Sequence, residues 1–217
     1  MTALTPESEI GRKLAASKIL AVLVLDDIES AVPVAEALLS GGVDAMELTL
    51  RTPAALSAAR KIRENCPDMT VGIGTILTPE QAAEAKDAGA HFGVSPGINP
   101  EVMQKAEDIA LPFGPGVMTP TDIDRAIREG ARLLKFFPAG SSGGLPHLKN
   151  IAAPFAHLGL GFIPLGGVNV QNLATYLESD LVTAVGGSWL APRDAINNRD
   201  WNQIEANALE ATKIVSN

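Results

Sequence analysis

At 217 residues the chain is long enough to bury a full core, and it sits near the lower size limit of a (β/α)8 barrel. A formal net charge of −8 leaves no basic face to release counterions. That argues against a nucleic acid or an anionic membrane as partner, and leaves a small anionic substrate open to a few local cations. The one cysteine, Cys66, excludes an internal disulfide and points to a reducing compartment, and neither a leader-like segment nor an apolar run of spanning length is evident, so a cytoplasmic protein is expected.

In chain order, Thr5, Pro6 and Glu7 resemble a helix start and Ile10, Leu14 and Ala15 supply its stripe, so the chain is expected to begin with a helix outside the main repeat. An alternation then sets in. Short β-rich segments at 19–25, 45–50, 70–74, 91–94, 113–117, 133–137, 161–165 and 183–185 are separated by helix-like stretches at 30–39, 54–64, 79–88, 100–109, 120–129, 148–155 and 170–177. The repeat recurs roughly every 20 to 26 residues, the length of one βα unit. Thr52-Pro53, Thr78-Pro79, Asn99-Pro100 and Thr119-Pro120 each place a capping residue before a proline suited to the first helical position. Gly41, Gly89 and Gly130 stand where helices should stop. About eight units with near-continuous apolar strands predict an α/β fold, a single (β/α)8 TIM barrel with an extra N-terminal helix, forming one domain over 1–217. A doubly wound open sheet is the competing architecture.

In the second strand Glu47, Thr49 and Arg51 are spaced by two and face one side. Near the strand's C-terminal end they would reach the usual site of barrel chemistry, although a structural ion pair at the barrel mouth would look the same. The sixth strand, Leu133-Leu134-Lys135-Phe136-Phe137-Pro138, carries a lysine inside an apolar run. Burial there favours the neutral, nucleophilic amine, the more so with a second cation such as Arg51 nearby. A lysine snorkelling from a strand end or paired with a buried carboxylate is the alternative. Gly166-Gly167 after the seventh strand and Gly186-Gly187-Ser188 after the eighth stand where barrels often hold phosphate on bare backbone N–H groups and a helix N-terminus. Gly72-Ile73-Gly74-Thr75 lacks the third glycine and acidic partner of a dinucleotide fingerprint. His91, His147 and His157 have no metal-ligand spacing, so no metal site and no cofactor are expected. His91 reads as packing, and His147 and His157 as solvated residues flanking a helix.

Taken together, Glu47-Leu48-Thr49-Leu50-Arg51-Thr52, Gly72-Ile73-Gly74-Thr75, Ser95-Pro96-Gly97, Pro115-Gly116-Val117-Met118-Thr119-Pro120, Leu134-Lys135-Phe136-Phe137-Pro138-Ala139, Gly166-Gly167-Val168 and Gly187-Ser188 resemble the 2-keto-3-deoxy-6-phosphogluconate and 4-hydroxy-2-oxoglutarate aldolase family, in order from about Ile19 to Leu190. The resemblance implies a (β/α)8 barrel, a homotrimer, and reversible cleavage of a 2-keto-3-deoxy-6-phosphosugar acid to pyruvate and glyceraldehyde 3-phosphate. It assigns the Schiff base to Lys135, acid and base work to Glu47, pyruvate binding to Arg51 and Thr75, and phosphate binding to Gly166, Gly167 and Ser188, with Gly187 a further substrate-binding residue. Phe136, Phe137 and Pro96 would keep the site dry. Two departures bear on the substrate: Val24 stands where some members carry arginine, and Leu165 where many phosphogluconate-cleaving members carry threonine. Aspartates 26 and 27 likewise replace a lysine pair found in others. The rival activities are a 4-hydroxy-2-oxoglutarate aldolase that also decarboxylates oxaloacetate and a galactonate-epimer aldolase. A barrel that binds a phosphate ligand without turnover would need no buried lysine.

Overall fold

The computed structural model describes residues 4–216; residues 1–3 and 217, the ends of the expected domain, lie outside the described residues. Helix α1 (Glu9–Ser17) is followed by strand β1 (Ile19–Leu23), α2 (Ala31–Ser40), β2 (Ala45–Thr49), α3 (Ala55–Asn65), β3 (Thr70–Gly74), α4 (Pro79–Asp87), β4 (Phe92–Val94) and α5 (Pro100–Asp108). Then come β5 (Phe113–Gly114), β6 (Gly116–Val117), α6 (Pro120–Arg128), β7 (Leu133–Phe136), α7 (Gly144–Ala152), β8 (Gly161–Pro164), α8 (Leu173–Leu177), β9 (Val185–Gly187), α9 (Arg193–Asn197) and α10 (Trp201–Ser216). The fold is α/β, built on a curled parallel sheet. Six strands run in the order β5-β4-β3-β2-β1-β9 and three in the order β6-β7-β8, and every strand pair is parallel.

Alternation along the strands divides the core in two. Ile19, Ala21, Leu23, Met46, Leu48, Val71, Ile73, Leu134 and Phe136 pack outward against the helices. Leu20, Ala45, Phe92, Val94, Leu133, Ile163 and Ala184 fill the inside of the curl, as a two-residue period requires. Leu4, Ile10 and Leu14 join that inner cluster, and the Leu4 carbonyl accepts from Leu133 N at 3.0 Å. The N-terminal segment and α1 therefore plug the end where the strands begin. The opposite end, where they finish, is left for the cavity described below.

The turn chemistry works largely as the sequence implies. Thr78 and Thr119 form capping boxes with Gln81 and Asp122, and Asn99 accepts from Glu101 N at the start of α5. Five expectations are corrected. The first helix starts after Ser8, whose hydroxyl caps it, and its stripe is Ile10, Gly11 and Leu14 while Ala15 is exposed. Thr52 caps no helix: α3 begins at Ala55 and the Thr52 hydroxyl donates instead to Leu25 O. The fifth strand is split at Pro115, which has no N–H for the ladder, although its carbonyl accepts from Lys135 N at 3.0 Å. The helix expected at 148–155 begins at Gly144 and gives way to a 3-10 turn at Ala153. Gly41 ends α2 with an ordinary φ of −83°. The left-handed turn falls on Gly42 (φ 82°), and Gly41 is needed for another reason: a Cβ there would meet Ala208 Cβ at 2.3 Å.

That contact belongs to α10, a 16-residue helix that the repeat pattern did not reveal. Its buried residues are Ile204, Ala208 and Ala211, a stripe mostly of alanine and so weak in hydrophobic contrast. Among the described residues no helix is long and apolar enough to cross a membrane.

His91, expected as packing, accepts from Val71 N at 2.9 Å through Nδ1. Burial, then the nearby charges of Arg63 and Lys13, lower its pKa from 6.5 to about 4. In that window the unfolded chain binds the proton and the folded chain does not. The contribution is therefore complete above pH 6.5 and is lost as the pH falls toward 4. Denaturant titrations of His91→Gln, which keeps an acceptor for Val71, should show a flatter decline of stability across this interval than the parent; superimposable pH profiles would assign the acid sensitivity to other groups.

Candidate active site

A cavity of about 220 Å³ opens at the C-terminal ends of the strands. Its floor is a charged pair. Glu47 points inward from the middle of β2 and Lys135 from β7, strands of different sheets, and Lys135 Nζ donates to Glu47 Oε1 at 2.8 Å. Glu47 is 0% exposed and Lys135 7% exposed. Taking two such charges out of water costs several kcal/mol each, roughly, and their attraction offsets this only with good geometry. Geometry here is good on one side only: Glu47 Oε2 is buried and accepts from no described residue. An orphan carboxylate oxygen beside a cavity is a ready acceptor for a proton brought in by a ligand. The ring of Phe137 lies with its centroid 5.5 Å from Lys135 Nζ.

The cavity brings together Glu47, Arg51, Thr75, Pro96, Lys135, Phe137, Leu165, Gly166, Gly167, Gly187 and Ser188, whereas Gly186 does not line it and Phe136 points outward into the helix layer. Arg51 is exposed and its guanidinium makes no hydrogen bond or ion pair with a described residue. It is therefore a free cation beside the pair. Its proximity does not make Lys135 a lone amine, because the carboxylate of Glu47 is the lysine's direct partner; here the nucleophile-like lysine and the lysine paired with a buried acid are the same residue. Thr75 closes β3 with a φ of 62°. A β-branched residue rarely adopts that conformation, and it costs of order 1–3 kcal/mol, so the surrounding chain holds its side chain at the cavity wall against a local preference. Pro96 is set by a tight turn in which Ser95 Oγ donates to Gly97 O at 2.6 Å.

The far end has a different character. Leu165, Gly166, Gly167 and Val168 after β8 and Gly187 and Ser188 at the end of β9 line it without a charge, while Val22 of β1, level with Glu47 in the ladder, and Val24, just past β1, add apolar wall. Gly166 and Gly167 have φ of 81° and 91°, a left-handed pair that glycine adopts at no steric cost. The N–H groups of Gly166, Gly167, Val168 and Ser188 donate to no described residue. The helices that follow, α8 and α9, have only five residues each, so the expected help from a helix N-terminus gives way to a cradle of loop N–H groups. Thr49, read as sharing the face of Glu47, also lines the cavity, and its hydroxyl donates to Leu23 O at 3.0 Å. Val22, Val24 and Val168 were missed as wall residues. The two-residue period that selected Glu47 and Arg51 would have found the first two.

The histidines stand apart from the cavity. His147 lies inside α7, stacks on Phe136 at a centroid distance of 6.1 Å, and its Nε2 is 2.9 Å from Met118 O, so it is a bridging residue and not a solvated flank; His157 is exposed. Among the described residues no three His, Cys, Asp or Glu side chains converge as a ligand set.

The family model of KDPG and KHG aldolases matches residues 10–207. The 2-dehydro-3-deoxy-phosphogluconate aldolase of Dickeya dadantii is 42% identical over 198 residues, 91% of this chain and 92% of the relative. Among solved structures, the KDPG aldolase of Legionella pneumophila, with pyruvate captured at low pH as a covalent carbinolamine intermediate, superposes with a TM-score of 0.89 at 37% identity, covering 94% of this chain and 98% of that one. The 2-keto-3-deoxy-6-phosphogluconate aldolase of Zymomonas mobilis with 3-phosphoglycerate gives 0.87 at 37% identity, covering 94% of each chain.

The pair depends on one neighbouring position. A Cβ on Gly74 would lie 1.8 Å from Glu47 Oε1 and 2.5 Å from its carboxyl carbon, so the side chain would have to leave its present position. Gly74→Ala should therefore swing the carboxylate off Lys135 and lower stability by about 1–3 kcal/mol through overpacking. A crystal structure and thermal melt of the variant check this; an intact 2.8 Å pair at unchanged stability would show that the floor can yield.

Proposed function

The chain belongs to the KDPG and KHG aldolase family, and we propose that the Lys135–Glu47 pair is the centre at which it cleaves 2-keto-3-deoxy-6-phosphogluconate to pyruvate and glyceraldehyde 3-phosphate. It is a carbon–carbon lyase of the metal-independent, Schiff-base class. The observation that carries the residue assignment is the 2.8 Å contact between a buried lysine and a fully buried glutamate at the floor of a cavity.

Within the pair, passage of the Nζ proton to Glu47 leaves a neutral amine and a neutral acid. The amine of Lys135 adds to the C2 ketone to form a carbinolamine, and Glu47 returns the proton as water leaves, giving a protonated imine. That cation accepts the electrons of the C3–C4 bond while the C4 hydroxyl proton passes to Glu47, whose unpartnered Oε2 is free to receive it. The aldehyde departs and the enamine remains. Protonation at C3 and hydrolysis then release pyruvate and restore Lys135. Arg51, the free cation beside the pair, holds the pyruvate carboxylate, and the Thr75 hydroxyl adds a donor. Pro96 and Phe137 limit water at the floor. Gly166, Gly167, Gly187 and Ser188 hold the phosphate.

The same reading makes the two sheets one closed (β/α)8 barrel in a single domain with α1 as an extra helix. Its support is that β5 and β6 are separated by Pro115 alone, and that Phe162 of β8 bonds the segment before β9 (Phe162 N to Leu181 O 2.8 Å, Thr183 N to Phe162 O 2.9 Å). It also makes the protein a cytoplasmic homotrimer. The free Cys66 fits a reducing compartment, and the exposed Leu77 and Met118, at the cavity end of the strands, are side chains that an assembly would cover.

Borohydride reduction in the presence of pyruvate should add one adduct, mapped by peptide mass to Lys135, and Lys135→Ala should lose both adduct and cleavage by many orders of magnitude. An adduct on another lysine, or activity that a chelator removes and added metal restores, would overturn the mechanism.

Leu165 favours a second reading of the substrate. It is 3% exposed, lines the cavity beside the diglycine and has no donor or acceptor, so it cannot distinguish the C4 hydroxyl of the gluconate-type substrate from that of its galactonate epimer by hydrogen bonding. Leu165→Thr should raise the gluconate-to-galactonate ratio of kcat/KM by about 5- to 150-fold, the span of roughly 1–3 kcal/mol for a matched polar contact. A parent already strongly selective for the gluconate epimer, or a ratio unmoved by the change, would place selectivity elsewhere in the cavity.

A further inference from the structure

The diglycine loop after β8 presents three consecutive peptide planes whose carbonyls are each held by a hydrogen bond. The Leu165 carbonyl accepts from Ala139 N at 2.8 Å and the Gly166 carbonyl from Gly140 N at 2.7 Å. The Gly167 carbonyl accepts from Asn172 Nδ2 at 3.0 Å. A peptide unit is planar and trans, so its N–H points opposite to its C=O. Anchoring these carbonyls therefore turns the N–H groups of Gly166, Gly167 and Val168 the other way, and all three of these residues line the cavity. None of the three N–H groups has a partner among the described residues.

Two of the anchors are backbone groups of the segment after β7, packed so closely that a Cβ on Gly140 would lie 3.1 Å from Gly167 Cα. The third is a side chain. The Asn172 amide cannot rotate freely, because its Oδ1 accepts from Asn169 N at 2.9 Å, which leaves the Nδ2 face for Gly167.

We propose that Asn172 is a positioning residue for anion binding: it fixes the Gly167–Val168 peptide so that the Val168 N–H joins those of Gly166 and Gly167 as a donor to the phosphate of the substrate. The inference rests on the reading of this end as the phosphate site. Asn172 itself does not touch the ligand. It matters because none of the lining residues that follow β8 and β9 carries a charge, so the direction of each N–H there decides how much of the anion these loops satisfy.

The test compares the parent, Asn172→Ala and Asn172→Gln on 2-keto-3-deoxy-6-phosphogluconate and on its unphosphorylated counterpart, with inorganic phosphate as competitive inhibitor. Asn172→Ala should raise KM for the phosphorylated substrate and Ki for phosphate about 3- to 10-fold, the scale of one hydrogen bond. Its kcat, its kinetics on the unphosphorylated substrate and its pyruvate trapping at Lys135 should stay as in the parent. Asn172→Gln, with an amide still able to reach Gly167 O, should recover most of the phosphate affinity. Equal losses on both substrates, an unchanged phosphate Ki, or a Gln variant as impaired as Ala would each overturn the proposal. A parent that phosphate does not inhibit and that treats the two substrates alike would overturn the phosphate reading of this end, and the proposal with it. A parent that discriminates beside an Ala variant that discriminates equally well overturns the proposal alone.

Discussion

The Lys135–Glu47 hydrogen bond is the constraint around which the interior is arranged. It joins strands β2 and β7 across the inside of the curl, and it places two charges where only apolar packing would otherwise be stable. Such a pair is seldom a gain in stability over apolar residues of the same volume. Its neighbourhood is shaped to tolerate it. Gly74 gives up a side chain to make room for the carboxylate, Gly116 stands opposite Lys135 in the ladder, and the strand ends beyond the pair are left open instead of being filled as the other end is by Leu4, Ile10 and Leu14. The orphan Oε2 and the strained Thr75 add cost on the same side. Costs gathered at one end of a fold whose other end is well packed are what a reactive site requires.

The residues of the site were legible because they violate the local rule. A lysine between leucines and phenylalanines, and a glutamate four residues before an arginine on the same face of a β-rich run, are conspicuous in sequence. The wall residues Val22, Val24 and Val168 obey the local rule: the two-residue period alone points to the first two, and nothing marks Val168 as a wall residue until the cavity is seen. The same contrast separates the helices. Helices α4, α5 and α6 announce themselves by a cap and a proline, whereas α10 packs by alanine against Gly41, and a small-residue crossing has little hydrophobic signal to read. Pro115 could have been read as a break in the fifth strand. Thr52-Pro53 misleads because the threonine hydroxyl finds a carbonyl on another loop, a tertiary choice that spacing cannot reveal.

Helix α10 also bears on the cavity. Asn207 Nδ2 donates to Trp189 O at 3.0 Å and to Leu190 O at 3.3 Å, so the segment just after Ser188 is held from the outer layer. Asp26, in the loop after β1, accepts from Arg193 Nε at 2.7 Å and from Asn197 Nδ2 at 3.2 Å. These bonds hold the Asp26 carboxyl down near a pKa of 2. They tie the loop that follows Val24 to the helix that follows Ser188. The aspartates standing where a lysine pair occurs in other members thus have cationic partners within this chain, Arg193 for Asp26 and Arg199 for Asp27. Both contacts are exposed, so their worth lies in registering two loops more than in stability.

On the proposed reading, the cavity meets its two anionic groups by different means. For the carboxylate the proposed countercharge is a side chain: Arg51 is exposed and unpaired among the described residues, so its rotamers can adjust as the carbon beside the carboxylate passes from ketone to imine to enamine. For the phosphate the proposed donors are peptide N–H groups whose peptide planes are held by carbonyl anchors, and they cannot adjust in that way. A group that does not react needs no adaptable partner, and a rigid cradle holds it with little loss of conformational freedom. On that reading, holding the unreactive end still fixes where the C3–C4 bond lies relative to Lys135 and Glu47, so the uncharged loops after the late strands would set the alignment on which the charged pair acts.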